Sequence, residues 1–109
     1  MQLEKLVKTT KLFEIYQNCF NPEQKEVLTM YLISDLQLTE IAEIKNVSRQ
    51  AVYKIIATAI KKLEKLEKQI GYFQKFNSIF QKINNLEIAF ENADIQTAKK
   101  LIQKIKGEF

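Results

Sequence analysis

Residues 38–56, Leu38-Thr39-Glu40-Ile41-Ala42-Glu43-Ile44-Lys45-Asn46-Val47-Ser48-Arg49-Gln50-Ala51-Val52-Tyr53-Lys54-Ile55-Ile56, decide the fold. Two short helices that cross steeply leave little room where they touch, and Ala42 is small enough to sit there. The turn between them needs a left-handed residue, and asparagine tolerates that region better than other non-glycine residues, so Asn46 marks the turn. Ile41, Val47, Val52 and Ile55 supply apolar contacts expected to face inward. Ser48 can cap the second helix by accepting a bond from an orphan N–H. The stretch therefore predicts a helix-turn-helix, whose second helix normally enters the major groove of DNA. Arg49, the only arginine in the chain, opens that helix.

The composition agrees with an all-α fold. The chain has 109 residues, 46% of them apolar, with only 2 glycines and 1 proline to punctuate hairpins. Outward from the motif, residues 3–20 predict a first helix striped with Leu6, Leu12, Phe13, Ile15, Tyr16, Cys19 and Phe20. Cys19 reads as a small buried hydrophobe, and a lone cysteine forms no intramolecular disulfide. Asn21-Pro22-Glu23 is a restart signal: a cap, a first-turn proline and an acid at the positive helix end. The helix it opens runs to about Ser34 and buries Val27, Leu28, Tyr31 and Leu32. Asp35-Leu36-Gln37 is a turn, and Thr39 is expected to cap the third helix.

The fourth helix has no stop signal until Gly71. Val52, Ile56, Ala59, Leu63, Leu66, Ile70 and Phe73 alternate steps of four and three along it, a heptad seam that something must cover. Two domains are expected: a helix-turn-helix domain over 1–70 and a C-terminal helical extension over 71–109. Phe73, Phe76, Phe80, Ile83 and Leu86 stripe the next helix, and such a stripe is more often core or dimer interface than a platform for bases. Asn84-Asn85 is a weak point in that helix, Asn92 to Asp94 breaks it, and Asp94 caps a last one. The terminal Gly107-Glu108-Phe109 is expected to fray. Leu63, Leu66, Ile70, Phe73, Phe76 and Phe80 form the candidate homodimer face. The alternative is that residues 72–105 fold back and cover the seam within one chain.

Charge is uneven. Residues 1–48 carry 5 lysines against 7 acids, residues 49–68 carry Arg49 and 5 lysines against 2 acids, and residues 69–109 carry 6 lysines against 4 acids. Positive charge thus begins with the recognition helix, which suits an anionic partner. For residues 61–68 alone, a solvated lysine face is the plainer reading.

Several chemistries are excluded. With no histidine, there is no Cys–His nucleophile pair, no HExxH metal site and no Cys/His zinc site. Neither a P-loop nor a G-x-G-x-x-G occurs. The acid pairs Glu40/Glu43 and Glu23/Glu26 lie on solvated helix faces. The chain reads as a non-enzyme without cofactors. Lys5, Lys8 and Lys11 interrupt any secretory signal and no 18-residue apolar run exists, which predicts a cytoplasmic protein without membrane insertion.

Two resemblances converge on these residues. Pro22-Glu23-Gln24-Lys25-Glu26-Val27-Leu28, Leu38-Thr39-Glu40-Ile41-Ala42-Glu43 and Val47-Ser48-Arg49-Gln50-Ala51-Val52 resemble the fourth conserved region of bacterial sigma factors, which binds promoter DNA through a helix-turn-helix. Over residues 1–80, Leu3-Glu4-Lys5, Leu12-Phe13-Glu14-Ile15-Tyr16-Gln17, Ser48-Arg49-Gln50-Ala51-Val52-Tyr53 and Gln74-Lys75-Phe76 resemble the YlxM-like family of small bacterial helix-turn-helix proteins. Ser34-Asp35-Leu36 replaces that family's more acidic-aromatic turn. The second resemblance implies a DNA-binding regulator associated with the signal recognition particle pathway, beside whose protein genes members are encoded. It equally implies an accessory protein contacting that machinery's protein or RNA.

On the DNA reading, Arg49 and Gln50 meet base edges, arginine pairing well with guanine and glutamine with adenine. Tyr53 and Lys54 meet base or phosphate one turn on, while Lys61, Lys62 and the Thr39 hydroxyl meet phosphates. Ser48 caps within the same surface. On the plainer reading, Ser48 only caps and Arg49 is a surface charge.

Overall fold

The computed structural model describes residues 2–109 and contains no strand among them. Six helices follow one another: α1 (Leu3–Tyr16), α2 (Pro22–Leu28), α3 (Leu38–Lys45), α4 (Arg49–Ile70), α5 (Tyr72–Glu91) and α6 (Ile95–Gly107). The chain divides into two compact units, Met1–Ile70 and Gly71–Phe109.

The first unit packs α1, α2 and α3 against α4. Val52, Ile56, Ala59 and Leu63 point inward from α4 and meet Leu12, Phe13 and Tyr16 of α1, Val27 and Leu28 of α2, and Ile41 and Ala42 of α3 in one core. At ~100° per residue these four α4 positions share a narrow arc, and Ile55 falls to its flank, where it is half-buried. The Tyr16 hydroxyl, buried against α4, donates to Glu67 Oε1 at 2.7 Å and so keeps a partner in the core. Phe20 packs edge-on to Phe13, ring centroids 6.3 Å apart.

Local chemistry sets the helix starts. The Gln24 N–H donates to Asn21 Oδ1 at 2.8 Å and Pro22 fills the first position of α2. Beyond Leu28 the chain widens into a π-helix over Thr29–Ile33, and the Ser34 N–H reaches back to Thr29 O at 3.0 Å. The Thr29 hydroxyl donates to Lys25 O at 2.7 Å, a back-bond that bends helices. Val27 and Leu28 are therefore fully buried, while Tyr31 and Leu32 are only half-buried.

The structure changes three further expectations. Cys19 is exposed because α1 ends at Tyr16 and the backbone tightens into a 3₁₀ turn over Gln17–Cys19, which takes residue 19 off the helical register. Thr39 does not cap α3: the helix starts at Leu38, and the Gln37 N–H donates to Glu40 Oε1 at 3.0 Å. Val47 is exposed, because left-handed Asn46 swings the chain away from the core before α4 begins.

The second unit is a hairpin of α5 and α6. Residues 84 and 85 lie inside α5 without a break. The link is a Schellman turn with Ala93 left-handed at φ 54°; the Asp94 N–H donates to Ala89 O at 2.8 Å and the Ala93 N–H to Phe90 O at 3.1 Å. Asp94 then caps α6, its Oδ1 accepting from the Thr97 N–H at 3.1 Å and its Oδ2 from the Thr97 hydroxyl at 2.6 Å. These bonds hold the Asp94 carboxyl below its ordinary pKa. Only Ala89 and Ala98 of this unit are buried. Of the three C-terminal residues expected to fray, Glu108 pairs with the Lys82 ammonium and accepts from the Ser78 hydroxyl at 3.4 Å, while Phe109 lies outside the helix and is exposed.

Candidate nucleic-acid interface

Two helix ends and the turn between them build the candidate surface. At the end of α3, Asn46 adopts φ 55°, ψ 47°. The Val47 N–H donates to Ala42 O at 3.0 Å and the Asn46 N–H to Glu43 O at 3.3 Å, so the last carbonyls of α3 are satisfied by a full Schellman turn. Two residues later Ser48 Oγ accepts the Ala51 N–H at 3.0 Å and opens α4. An exit and an entrance so close in sequence bring α3 back against α4, and Ala42 is buried. Across the outer side of the unit, Lys45 and Glu26 form an ion pair at 2.7 Å that links α3 to α2.

This geometry leaves the start of α4 projecting. Ser48, Arg49, Gln50, Tyr53 and Lys54 are all exposed, and so is Thr39 near the start of α3. Arg49 borders two neighbouring surface grooves, one lined with Leu38, Gln50 and Tyr53, the other with Tyr31, Gln37, Leu38 and Thr39. Thr39 and Arg49, ten residues apart in sequence, are thus brought to one surface. The structure holds them by capping, which involves no functional side chain except Ser48.

Further along α4 lies a row of lysines that sequence reading took only in part. Lys54, Lys61, Lys65 and Lys68 are all exposed, and at ~100° per residue they fall within about 60° of one another, opposite the buried line of Val52, Ile56, Ala59 and Leu63. The signal was present in the spacing, but a charge row on an amphipathic helix is ambiguous until its buried side is known. Lys61 stands about 18 Å from Arg49 along the axis. Lys62 does not belong to this row. Its ammonium donates to Cys19 O at 2.5 Å and lies 4.8 Å from the centre of the Phe20 ring, so it ties α4 to the segment after α1 rather than projecting toward a phosphate.

The expected dimer face separates into different environments. Leu63 is fully buried in the core of the first unit and offers nothing to a partner. Leu66 is half-buried and Ile70 exposed near the end of α4. In the second unit Phe73 is half-buried, while Phe76 and Phe80 are more than half exposed. Tyr72, Ile83 and Phe90 continue that stripe along α5, and Tyr72 stacks on Phe76 at 5.9 Å. Tyr72 and Phe90 were not among the residues expected on this stripe.

Among the described residues no group of three or more histidine, cysteine, aspartate or glutamate side chains is placed to hold a metal, and no helix is long and apolar enough to cross a membrane. Comparison with known proteins agrees with the fold. Residues 3–106 match the model of the UPF0122 family, the YlxM / p13-like helix-turn-helix proteins. The UPF0122 protein YlxM of Bacillus subtilis is 34% identical over 107 residues, covering 97% of both chains. A UPF0122 protein of Bacillus pumilus is 33% identical over the same length and coverage. One from Geobacillus is 39% identical over 85 residues, 78% of this chain and 77% of that protein.

Proposed function

We propose that this chain, which belongs to the UPF0122 family of YlxM / p13-like helix-turn-helix proteins, binds duplex DNA with the start of α4 in the major groove. The observation that carries the reading is the outward projection of Arg49, Gln50, Tyr53 and Lys54 from a helix start whose other side is fully committed to the core. Arg49 and Gln50 supply forked hydrogen bonds to base edges. Thr39, Lys54 and Lys61 supply phosphate contacts that set register and charge neutralisation. Ser48 contributes through its cap.

Two copies act together on this reading. A unit of 39 residues that buries only Ala89 and Ala98 is at the size where folding alone is rare without a disulfide, a metal or a partner chain. Tyr72, Phe76, Phe80 and Phe90, each half or more exposed on one stripe of α5, together leave on the order of 400–500 Å² of aromatic surface per copy, so pairing two copies removes roughly 900 Å² before any surrounding contacts are counted. That approaches the area of a standard interface. The finer reading, a regulator tied to the signal recognition particle pathway, rests on the family resemblance. Its competitor is an accessory protein of that machinery, favoured by the same α5 stripe if a foreign protein covers it.

Fluorescence anisotropy on a labelled random-sequence duplex tests the DNA reading. Affinity falls steeply with salt, and Lys61→Ala lowers the slope of log K against log salt by about one. Salt-independent binding, or none at low salt, overturns it. Sedimentation equilibrium tests the pairing: a mass near 12.8 kDa throughout the micromolar range rules it out.

A further inference from the structure

We infer that the groove lined by Leu38, Arg49, Gln50 and Tyr53 seats the 5-methyl group of a thymine, so that Tyr53 sets base preference beside the hydrogen bonds of Arg49 and Gln50. The inference rests on the DNA reading and deepens it. Tyr53 is 64% exposed, flanked in sequence by Val52, which is fully buried. Its ring is therefore mostly left in water at the helix start and contributes little to the core. It stands four residues after Arg49, hence on the same face one turn along. Leu38, the first residue of α3, is half-buried and gives the groove a second apolar wall. A polar fork beside an apolar recess matches one feature of the major groove. Thymine alone presents a methyl group there, next to an acceptor oxygen, and apolar side chains discriminate it.

The test starts from a duplex enriched from a random pool by the full-length protein. Each thymine in the enriched site is then replaced by deoxyuridine, which removes only the methyl and leaves pairing intact. At least one replacement weakens binding three- to fivefold, the effect of uncovering one methyl-sized group. That penalty disappears in Tyr53→Ala and persists in Tyr53→Phe, which keeps the ring. Tyr53 is exposed, so both variants fold, and circular dichroism checks that they do. The inference is overturned if a specifically bound duplex tolerates every replacement within twofold, if the penalty survives in Tyr53→Ala, or if it is lost in Tyr53→Phe. Absence of any enriched duplex overturns the DNA reading itself, and the groove's assignment with it.

Discussion

Leu63 is the position where two accounts of α4 part most sharply. As a member of an exposed heptad seam it would meet a second copy; in the structure it is fully buried within one unit. Leu63→Ala removes three carbons from a site closed on all sides. The lost transfer energy and the cavity left behind cost about 2.7–5 kcal/mol in comparable sites. The first unit, at about 70 residues, is expected to be stable by roughly 3.5–10 kcal/mol, so the loss is a large share of the whole. Leu66→Ala, three residues on and partly exposed, is expected to cost less, about 1–2 kcal/mol. Urea unfolding followed by circular dichroism reads both. At a slope of about 1 kcal/mol/M, the Leu63→Ala midpoint falls by roughly 3 M or more, by the same amount at two protein concentrations tenfold apart. Equal effects for the two leucines, or a Leu63→Ala loss that grows on dilution, would refute its place in the core.

Asn46→Gly is expected to be close to neutral, while Asn46→Val costs about 1–2 kcal/mol in the same urea assay, because valine is strained at φ 55°. Ala93→Gly relieves a similar left-handed strain between α5 and α6 and raises their thermal midpoint; a lowered midpoint contradicts the turn geometry. Asp94 has a depressed pKa chiefly through the Thr97 hydroxyl, and Glu108 has one chiefly through its bond with Lys82. Their stabilisation is present above the ordinary carboxylate pKa and is lost as pH falls through the lower folded value, so α6 helicity drops in acid below about pH 4 and not between pH 5 and 8. Carboxyl ¹³C titration should place both groups below ordinary aspartate and glutamate.

What could be read from the residues themselves was mostly the chemistry of helix ends. Asn21, Asn46, Ser48, Gly71 and Asp94 each mark a boundary that the structure keeps, because caps and left-handed turns are decided within a few residues. The motif's projecting residues follow from those boundaries. Errors arose where distant parts of the chain compete. Lys62 has the spacing of a surface charge, but the carbonyl of Cys19 and the Phe20 ring claim it. Glu108 is near the terminus, yet Lys82 and Ser78 hold it. Val47 has an apolar side chain at an inward-looking position, and a single left-handed residue before it turns it outward. Periodicity placed Leu63 and Phe80 on one seam; only packing separates a residue with no exposure from one that is 61% exposed.

The central claim is that the start of α4 reads DNA. Duplexes enriched from a random pool by the protein, then titrated against wild type and Arg49→Ala at one fixed salt concentration, test it most directly. The account predicts a defined enriched site that wild type prefers over random duplex. Arg49→Ala should bind that site about 5- to 150-fold more weakly, the worth of a bidentate base contact at ~1–3 kcal/mol, while its affinity for random duplex falls much less. No enriched site, or an Arg49→Ala protein that binds the site as tightly as wild type, would contradict it.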